Sequence, residues 1–315
     1  MTGFIEFLVY LFTIGGIWGM LSLSLNVQFG IAGLINLGHV AFFMLGAYVS
    51  TILVVLNGWD ITFGIFAGGA AAAAFGMLMA LPTARLQQDY WAISTLAVAE
   101  ILRIFFLNTS LDGPYVGQAL GVSGIPRPLR DWFNAEGYSN AAYNWFFLGL
   151  VMACLLATLL FCLWLSRTPF ARTLKALRED DAVPLALGKR VSSFRIRAMA
   201  IGGAIGGLAG GLFAHYNAFI EPEYFRPIET FLIWAMVILG GAGNMIGSLV
   251  GTLLVMTLYN SSRFVPGWLN DLFGWTIDGR VYGSLRLVLI GVIIILVILY
   301  LPNGLLPERR RKSAQ

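Results

Sequence analysis

Long apolar runs separated by short polar stretches dominate the sequence. A run of about 20 apolar residues can cross the hydrocarbon core of a bilayer as a helix. Apolar runs of that length lie near 4–25, 34–56, 61–82, 91–108, 145–165, 198–219 and 283–301. A longer stretch, 228–262, is interrupted at Gly240, Gly241, Gly243 and Asn244, which predicts two shorter helices. The pattern therefore predicts an all-α polytopic membrane bundle of eight to ten segments, some of them broken or half-spanning.

The composition agrees with a membrane protein. Hydrophobic residues make up 58% and charged residues 11% of the 315 positions, and the mean hydropathy is +0.79. Soluble domains carry about 25% charged residues, so the composition excludes an ordinary soluble protein, a disordered tail, a nucleic-acid-binding domain and a secreted disulfide scaffold. Cys154 and Cys162 share one apolar run and are separated by roughly 12 Å along a helix. We expect no disulfide between them, because a disulfide needs Cα atoms within about 7 Å.

The positive charges predict the orientation. Eight of the twenty Lys and Arg residues lie in the loop 166–197, four more lie at 309–312, and Arg85 lies in a short loop. Short loops rich in Lys and Arg stay in the cytoplasm. We therefore expect the loop 166–197 and the C-terminus inside, and the N-terminus and the loop 109–144 outside. The chain then forms a single transmembrane domain, 1–308, followed by a basic cytoplasmic tail, 309–315.

The loop 166–197 contains two predicted short helices. The first carries Phe170, Leu174 and Leu177 at helical spacing, with basic residues between them. The acids at 179–181, followed by Pro184, indicate the start of the second helix, because acids suit the positive end of the helix dipole. Two interpretations remain open. The loop is either a basic amphipathic segment on the membrane surface or a docking element for a cytoplasmic partner.

Glycines recur every four residues in two of the apolar runs. Small residues at this spacing let helix backbones approach closely in lipid, so we expect helix packing at these positions. The alternative is that these smooth faces slide or rock against one another. The predicted packing residues are Gly202, Gly206 and Gly210, with Gly203, Gly207 and Gly211 on the neighbouring face, and Gly243, Gly247 and Gly251.

A few polar side chains lie inside the apolar runs. Glu100 and Arg103 share a helix face at i, i+3. Pairing would lower the roughly 2.5–3.5 kcal/mol that a lone charge costs at mid-bilayer, whereas the alternative is a place on a solute pathway. The stretch 26–39 is either a broken helix near that pathway or a polar cytoplasmic turn between two spans. The candidate pathway residues are Asn26, Gln28, Asn36, His39, Glu100 and Arg103.

The chain lacks the common signatures of catalytic and metal sites. No G-x-x-x-x-G-K-[ST] phosphate loop and no H-E-x-x-H pair is present in the sequence. His39 and His215 lie far apart, without a neighbouring cysteine. We therefore expect no ATPase site, no metal, no cofactor and no catalytic residue in this chain.

Several ordered motifs are shared with a known family. The first is Leu23-Ser-Leu-Asn26, Gly30, Gly33-Leu-Ile-Asn-Leu-Gly-His39, Ala41-Phe-Phe and Gly46-Ala-Tyr48. Others are Ala176-Leu-Arg-Glu-Asp-Asp181 with Gly188, Gly206-Gly-Leu-Ala-Gly-Gly211, Leu239-Gly-Gly-Ala-Gly243 and Leu301-Pro-Asn-Gly-Leu-Leu306. In this order, from about residue 20 to 307, the chain resembles the ABC-importer permeases for branched-chain amino acids.

The resemblance implies a transport subunit of the inner membrane that works with several partners. These are two cytoplasmic ATP-binding subunits that hold ATP-Mg, a second homologous permease chain, an extracytoplasmic solute-binding protein and membrane lipid, with no nucleic acid. The residues implied in coupling to the ATPase are Arg178, Glu179, Asp180, Asp181 and Gly188. Close alternatives are the same machine for urea or short amides, and, from another class, an ion-coupled secondary transporter.

Overall fold

The apolar runs that the structure describes fold as helices, and a small irregular region joins them at one end of the bundle. A computed structural model describes residues 2–83, 88–110, 118–261, 288, 291–292, 295, 299–300 and 304–308. Most of the predicted span 283–301, the tail 309–315 and Arg85 lie outside the described residues.

The helices follow the order of the apolar runs, with short additions in the loops. They are α1 (Thr2–Asn26), α2 (Val40–Val55), α3 (Ile61–Thr83), α4 (Gln88–Asn108), α5 (Arg130–Ala135), α6 (Asn140–Arg167), α7 (Pro169–Glu179), α8 (Ala182–Ala186), α9 (Val191–Asn217), α10 (Pro227–Gly240) and α11 (Met245–Ser261). A π-helical turn, Val27–Ile31, continues α1, and 3-10 turns occupy Gln118–Leu120 and Pro222–Phe225. Two short strands, β1 (Val122–Ser123) and β2 (Phe219–Ile220), pair antiparallel with Val122 opposite Ile220.

The predicted all-α membrane bundle is confirmed. In the described part of the chain, five helices are long and apolar enough to cross a membrane: α1 with its π-helical turn, α3, α4, α6 and α9. Three shorter apolar helices, α2, α10 and α11, accompany them. The predicted interruption near Gly240 is present, since α10 ends at Gly240 and α11 begins at Met245.

The predicted span 34–56 is wrong at its beginning, because residues 33–36 are irregular and α2 starts only at Val40. Gly33 has a φ of +70°, which a helix cannot accommodate. Tertiary contacts take the place of helical hydrogen bonds. The amide of Leu37 donates to Thr95 Oγ1 at 3.1 Å, and the indole Nε1 of Trp234 donates to the carbonyl of Asn36 at 3.0 Å. These contacts hold an irregular segment inside the bundle.

The glycines of α9 form two rows that face different neighbours. A Cβ at Gly206 or Gly210 would meet α2, at the side chain of Phe42 or the carbonyl of Phe43. In the same row, a Cβ at Gly202 would meet the side chain of Gln28. In the other row, Gly203 lies against the backbone of Ala72 on α3, Gly207 lies against Gly68 and Ala72, and Gly211 lies against Ile65. Helices α2, α3 and α9 therefore pack backbone against backbone.

The glycines near the second interruption divide into two kinds. Gly247 and Gly251 lie on α11 and contact the carbonyls of Gly240 and Met236 on α10, as close helix packing requires. Gly243 does not lie on this helical face. It belongs to the turn between the two helices and has a φ of +85°. The predicted packing role of Gly243 is therefore wrong. Gly243 provides the positive φ that the turn requires.

A buried histidine joins the segment 118–129 to the bundle. His215, near the end of α9, has Nδ1 2.7 Å from the carbonyl of Pro126 and Nε2 3.0 Å from Ser50 Oγ. Because a carbonyl can only accept, Nδ1 carries the hydrogen and Nε2 accepts from the serine. Next to this contact, the amide of Ile125 donates to the carbonyl of Ala218. The stretch after residue 120 is thus fixed to the C-terminal end of α9.

Candidate functional site

A cluster of buried polar side chains surrounds the segment 27–39, here called the α1 break. Gln28 Oε1 accepts from Asn36 Nδ2 at 2.9 Å and lies 3.1 Å from His39 Nδ1. Its amide nitrogen donates to the carbonyl of Met199 on α9 at 3.4 Å. All three polar side chains of this cluster are fully buried. The stretch 26–39 is therefore a broken helix inside the bundle and not a surface turn.

Asn26 connects the α1 break to the turn 241–244, here called the α10–α11 turn. Its Oδ1 accepts from the amide of Gly243 at 2.8 Å, and its Nδ2 donates to the carbonyl of Asn244 at 3.0 Å. The side chain of Asn26 is fully buried. One amide side chain thus satisfies backbone groups of both polarities where two interrupted helices meet, and it brings together two features that the sequence placed over 200 residues apart.

The charged pair on α4 belongs to a larger network. Arg103 Nη2 lies 2.6 Å from Glu100 Oε1, as their i, i+3 spacing predicts. Arg103 Nη1 also donates to Glu223 Oε1 at 2.9 Å, and Glu223 pairs with Arg226. Arg103 therefore lies between two carboxylates and ties α4 to the 3-10 turn that precedes α10.

We expect Arg103→Gln to destabilise the protein more than Glu100→Gln does. The first change leaves the carboxylate of Glu100 without its cation, whereas the second leaves Arg103 paired with Glu223. Breaking a partly buried charge-assisted pair costs roughly 1.5–3 kcal/mol. Thermal unfolding of the detergent-purified variants measures the difference. Equal losses would show that Arg103 acts through Glu100 alone.

The loop 166–197 contains the two short helices that the sequence predicts, α7 and α8. Helix α7 begins at Thr168, whose Oγ1 accepts from the amide of Ala171, and it buries Leu174 and Leu177. Phe170 stacks on Phe194 of α9 with ring centroids 5.6 Å apart. One face of α7 therefore packs against the bundle.

Helix α8 buries Pro184 but exposes its larger apolar side chains. Val183 is 53% exposed, Leu185 57%, and Leu187, which follows the helix, 72%. Asp180 Oδ1 accepts from the amide of Ala182 at 2.8 Å and so fixes the entry into this helix. A cluster of exposed apolar side chains beside acids is typical of a protein–protein contact.

The predicted coupling residues separate into two groups. Glu179, Asp180 and Gly188 are exposed around α8. Asp181 and Arg178 turn toward the bundle, where Asp181 Oδ2 pairs with Arg195 of α9 at 2.5 Å. Only the exposed group is free to meet a partner in this conformation, and the coupling role of all five residues stays a prediction.

Arg178 and Lys175 hold a residue near the end of the chain. Lys175 Nζ lies 2.6 Å from Glu308 Oε1, and Arg178 Nη2 lies 2.9 Å from Glu308 Oε2. The other terminal nitrogen of Arg178, Nη1, donates to the carbonyl of Gly30 in the α1 break. Sequence reasoning missed Glu308, and the only signal was the motif 301–306 just before it.

The ion pairs also shift the pKa of Glu308. Burial acts to raise the pKa of this carboxyl, but hydrogen bonds from Lys175 and Arg178 and their positive charges outweigh burial, so the pKa is lowered from its usual 4.5. A lowered carboxyl pKa stabilises the fold above the usual value, and that stability is lost as the pH falls through the lowered pKa. The contact is therefore intact at neutral pH.

Comparison with known proteins gives the family. A family model described as a branched-chain amino acid transport system permease component matches residues 7–298. The chain belongs to this permease family. The high-affinity branched-chain amino acid transport permease LivM of Escherichia coli K12 is 32% identical over 315 residues, covering 95% of this chain and 69% of the relative. No solved structure matches.

Two further relatives place the permease within the family. A probable LivM of Methanocaldococcus jannaschii is 29% identical, covering 93% of this permease and 91% of the relative. LivH of Escherichia coli K12, also a branched-chain amino acid transport permease, is 23% identical with 96% of both chains covered. The resemblance predicted from the motifs is confirmed, and the permease is a multi-pass membrane component of a transport system.

Proposed function

We propose that this permease moves branched-chain or closely related amino acids across the bacterial inner membrane, within an importer driven by ATP hydrolysis on separate subunits. The family match over residues 7–298 and the LivM relatives at 29–32% identity support the solute class. The observation in the structure that carries the proposal is α8, an exposed apolar helix on the predicted cytoplasmic side.

Helix α8 fits the role of a contact with an ATP-binding subunit. It presents Val183, Leu185 and Leu187 beside the exposed acids Glu179 and Asp180, so it offers both apolar area and charge. Two such subunits, a second homologous permease and an external solute-binding protein complete the proposed importer. The N-terminus lies outside in this arrangement, and α7, α8 and the C-terminus lie in the cytoplasm.

The proposed solute pathway passes the α1 break. There Gln28, Asn36 and His39 are buried and hydrogen bond to one another, so a passing amino acid must replace these bonds with its own. Glu100 and Arg103 are less suited to an ion relay, because Glu223 completes a network in which both are already paired. This favours ATP-driven transport over ion-coupled transport.

Reconstitution tests the proposed function. The permease is purified with its ATP-binding and permease partners, placed in proteoliposomes with the binding protein, and supplied with labelled leucine, valine or isoleucine. We expect uptake that requires ATP. Uptake of urea or acetamide in place of the amino acids would contradict the solute class. Uptake driven by an ion gradient without ATP would contradict the importer.

The docking role of α8 has its own test. We expect Leu185→Asp with Leu187→Asp to abolish co-purification of the ATP-binding subunits, because the apolar contact area is replaced by charge. Leu120→Asp is the matched control, since Leu120 is 76% exposed but lies on the predicted outer side. ATP-binding subunits retained by the double variant, or lost equally in the control, would rule out α8 as the docking helix.

A further inference from the structure

The segment 304–308 is attached to the α10–α11 turn by its backbone. The amides of Leu305 and Leu306 donate to the carbonyls of Leu239 and Gly240 at 2.9 and 3.1 Å. These carbonyls belong to the last turn of α10, where helical partners are missing. Gly304 has a φ of +73°, and a Cβ there would collide with Gly241. The segment thus caps α10.

A second contact fixes the same segment to the start of α11. Asn244 Nδ2 donates to the carbonyl of Leu306 at 3.1 Å, while Asn244 Oδ1 accepts from the amides of Ile246 and Gly247 in the first turn of α11. Glu308 follows two residues after Leu306 and comes so close to Gly243 that a Cβ at Gly243 would meet its carboxylate. Glu308 is therefore carried by the α10–α11 turn.

The same carboxylate holds α7. Lys175 and Arg178 each bind one oxygen of Glu308, and Arg178 also binds the carbonyl of Gly30. Asn26 then links the α1 break back to the α10–α11 turn. The contacts close a ring that runs from α7 through Glu308, the α10–α11 turn, Asn26 and the α1 break back to α7.

We propose that Glu308, with Lys175 and Arg178, is the joint that transmits movement of the cytoplasmic helices to the two interrupted membrane helices during transport. This rests on the proposed function, in which α8 meets the ATP-binding subunit. The apolar contacts of α7 with the bundle are non-directional, so by themselves they do not fix the direction in which α7 and the bundle move relative to each other. Charge-assisted hydrogen bonds are short and fix direction, so displacement of α7 is passed to the turn that carries Glu308 and to the α1 break. These are positioning residues and do not touch the solute.

The joint predicts a specific defect in coupling. We expect Glu308→Gln to assemble with the ATP-binding subunits and hydrolyse ATP, yet to move at least about fivefold less amino acid per ATP. Glu308→Asp keeps the negative charge, and we expect it to recover part of the amino acid transport per ATP. Glu136→Gln, which removes an exposed acid from the outer loop, leaves the yield unchanged. Uptake and ATP hydrolysis are measured in the same proteoliposomes.

A covalent replacement of the joint sharpens the test. Lys175→Cys with Glu308→Cys, in a Cys154→Ala, Cys162→Ala background, removes the ion pair and allows a short bis-thiol reagent to reconnect the two positions. Because the joint moves as one unit, we expect the reagent to restore uptake per ATP. Blocked uptake after cross-linking would mean that α7 and the segment 304–308 must separate during transport. That result would contradict the proposed role of Glu308.

The outcomes separate the joint from the proposed function. No ATP-driven uptake by the unaltered complex contradicts the proposed function. Normal uptake by the unaltered complex, together with an unchanged yield in Glu308→Gln, contradicts only the joint. Loss of assembly in Glu308→Gln would assign the residue a purely structural role, and it also counts against the joint.

Discussion

Asn26→Leu is expected to lower the free energy of unfolding by about 2 kcal/mol, because the partly buried amide of Gly243 would lose its hydrogen-bond partner and the carbonyl of Asn244 would lose one of its two donors. The amide of Gly243 donates to Asn26 Oδ1 at 2.8 Å, whereas the carbonyl of Asn244 accepts both from Asn26 Nδ2 and from the amide of Ser248 at 3.0 Å, so it keeps one partner. Leucine has a similar size but offers neither a donor nor an acceptor. Thermal unfolding of the purified variant and of the unaltered permease in mild detergent measures the loss of stability.

Ser22→Ala is the matched control for this change. Ser22 is also fully buried on α1, and its Oγ donates to the carbonyl of Ser248 on α11 at 3.2 Å. That carbonyl also accepts from Thr252 Oγ1 at 2.8 Å, so it keeps a partner when the serine hydroxyl is removed. We expect a loss of about 1 kcal/mol or less. Equal losses for both variants would mean that Asn26 contributes only bulk to the contact between α1 and α11.

Gly46→Ala is expected to prevent normal packing of α2 against α9. A Cβ at Gly46 would collide with the backbone of Gly207, and the carbonyl of Gly46 already lies against Gly68 on α3. A rotating side chain could give way, but backbone atoms can move only if the helices separate. The cost is at the upper end of the usual range for overpacking, about 3 kcal/mol. The yield of monodisperse protein and its thermal unfolding measure this effect.

Gly15→Ala is the corresponding control, because nothing lies within 4 Å of a Cβ at that position. Gly15 is in the interior of α1, where alanine favours the helix by roughly 0.5–1 kcal/mol. We expect unchanged or slightly higher stability. Equal damage from both substitutions would show that loss of a glycine in a membrane helix is harmful in itself, independently of close packing with a neighbour.

Hydropathy was sufficient to predict the bundle and its second interruption. The break after Gly240 is visible because three glycines and Asn244 fall together in an apolar run. The pairing of Glu100 with Arg103 follows from helical spacing, and the buried face of α7 follows from Leu174 and Leu177. Each of these features is set by residues close together in sequence.

The start of α2 could not be predicted in the same way. Leu34, Ile35 and Leu37 are as apolar as a helical span, so hydropathy extends the span to them. Their irregular conformation depends on contacts with Thr95 and Trp234, which lie 58 or more residues away. A pattern read along one chain segment carries no information about such distant hydrogen-bond partners.

The candidate site was predicted in part for the same reason. The polar residues near Asn26 and the acids near Glu179 were recognised from their unusual composition. The contact between Arg178 and Glu308 was not predicted. The two residues are separated by 130 positions, and Glu308 is a single acid directly before a basic tail. Helical spacing identifies partners on one helix and says nothing about a distant segment.

The backbone contacts among α2, α3 and α9 restrict how the permease can change shape. Where Gly46 lies against Gly207 and Gly203 lies against Ala72, backbone meets backbone, and no side chain at these points can rearrange to accommodate a new angle. Packed interfaces of this kind switch between discrete arrangements and do not deform continuously. We therefore expect the three helices to move as one rigid body, with hinges at the irregular segments 32–39 and 241–244.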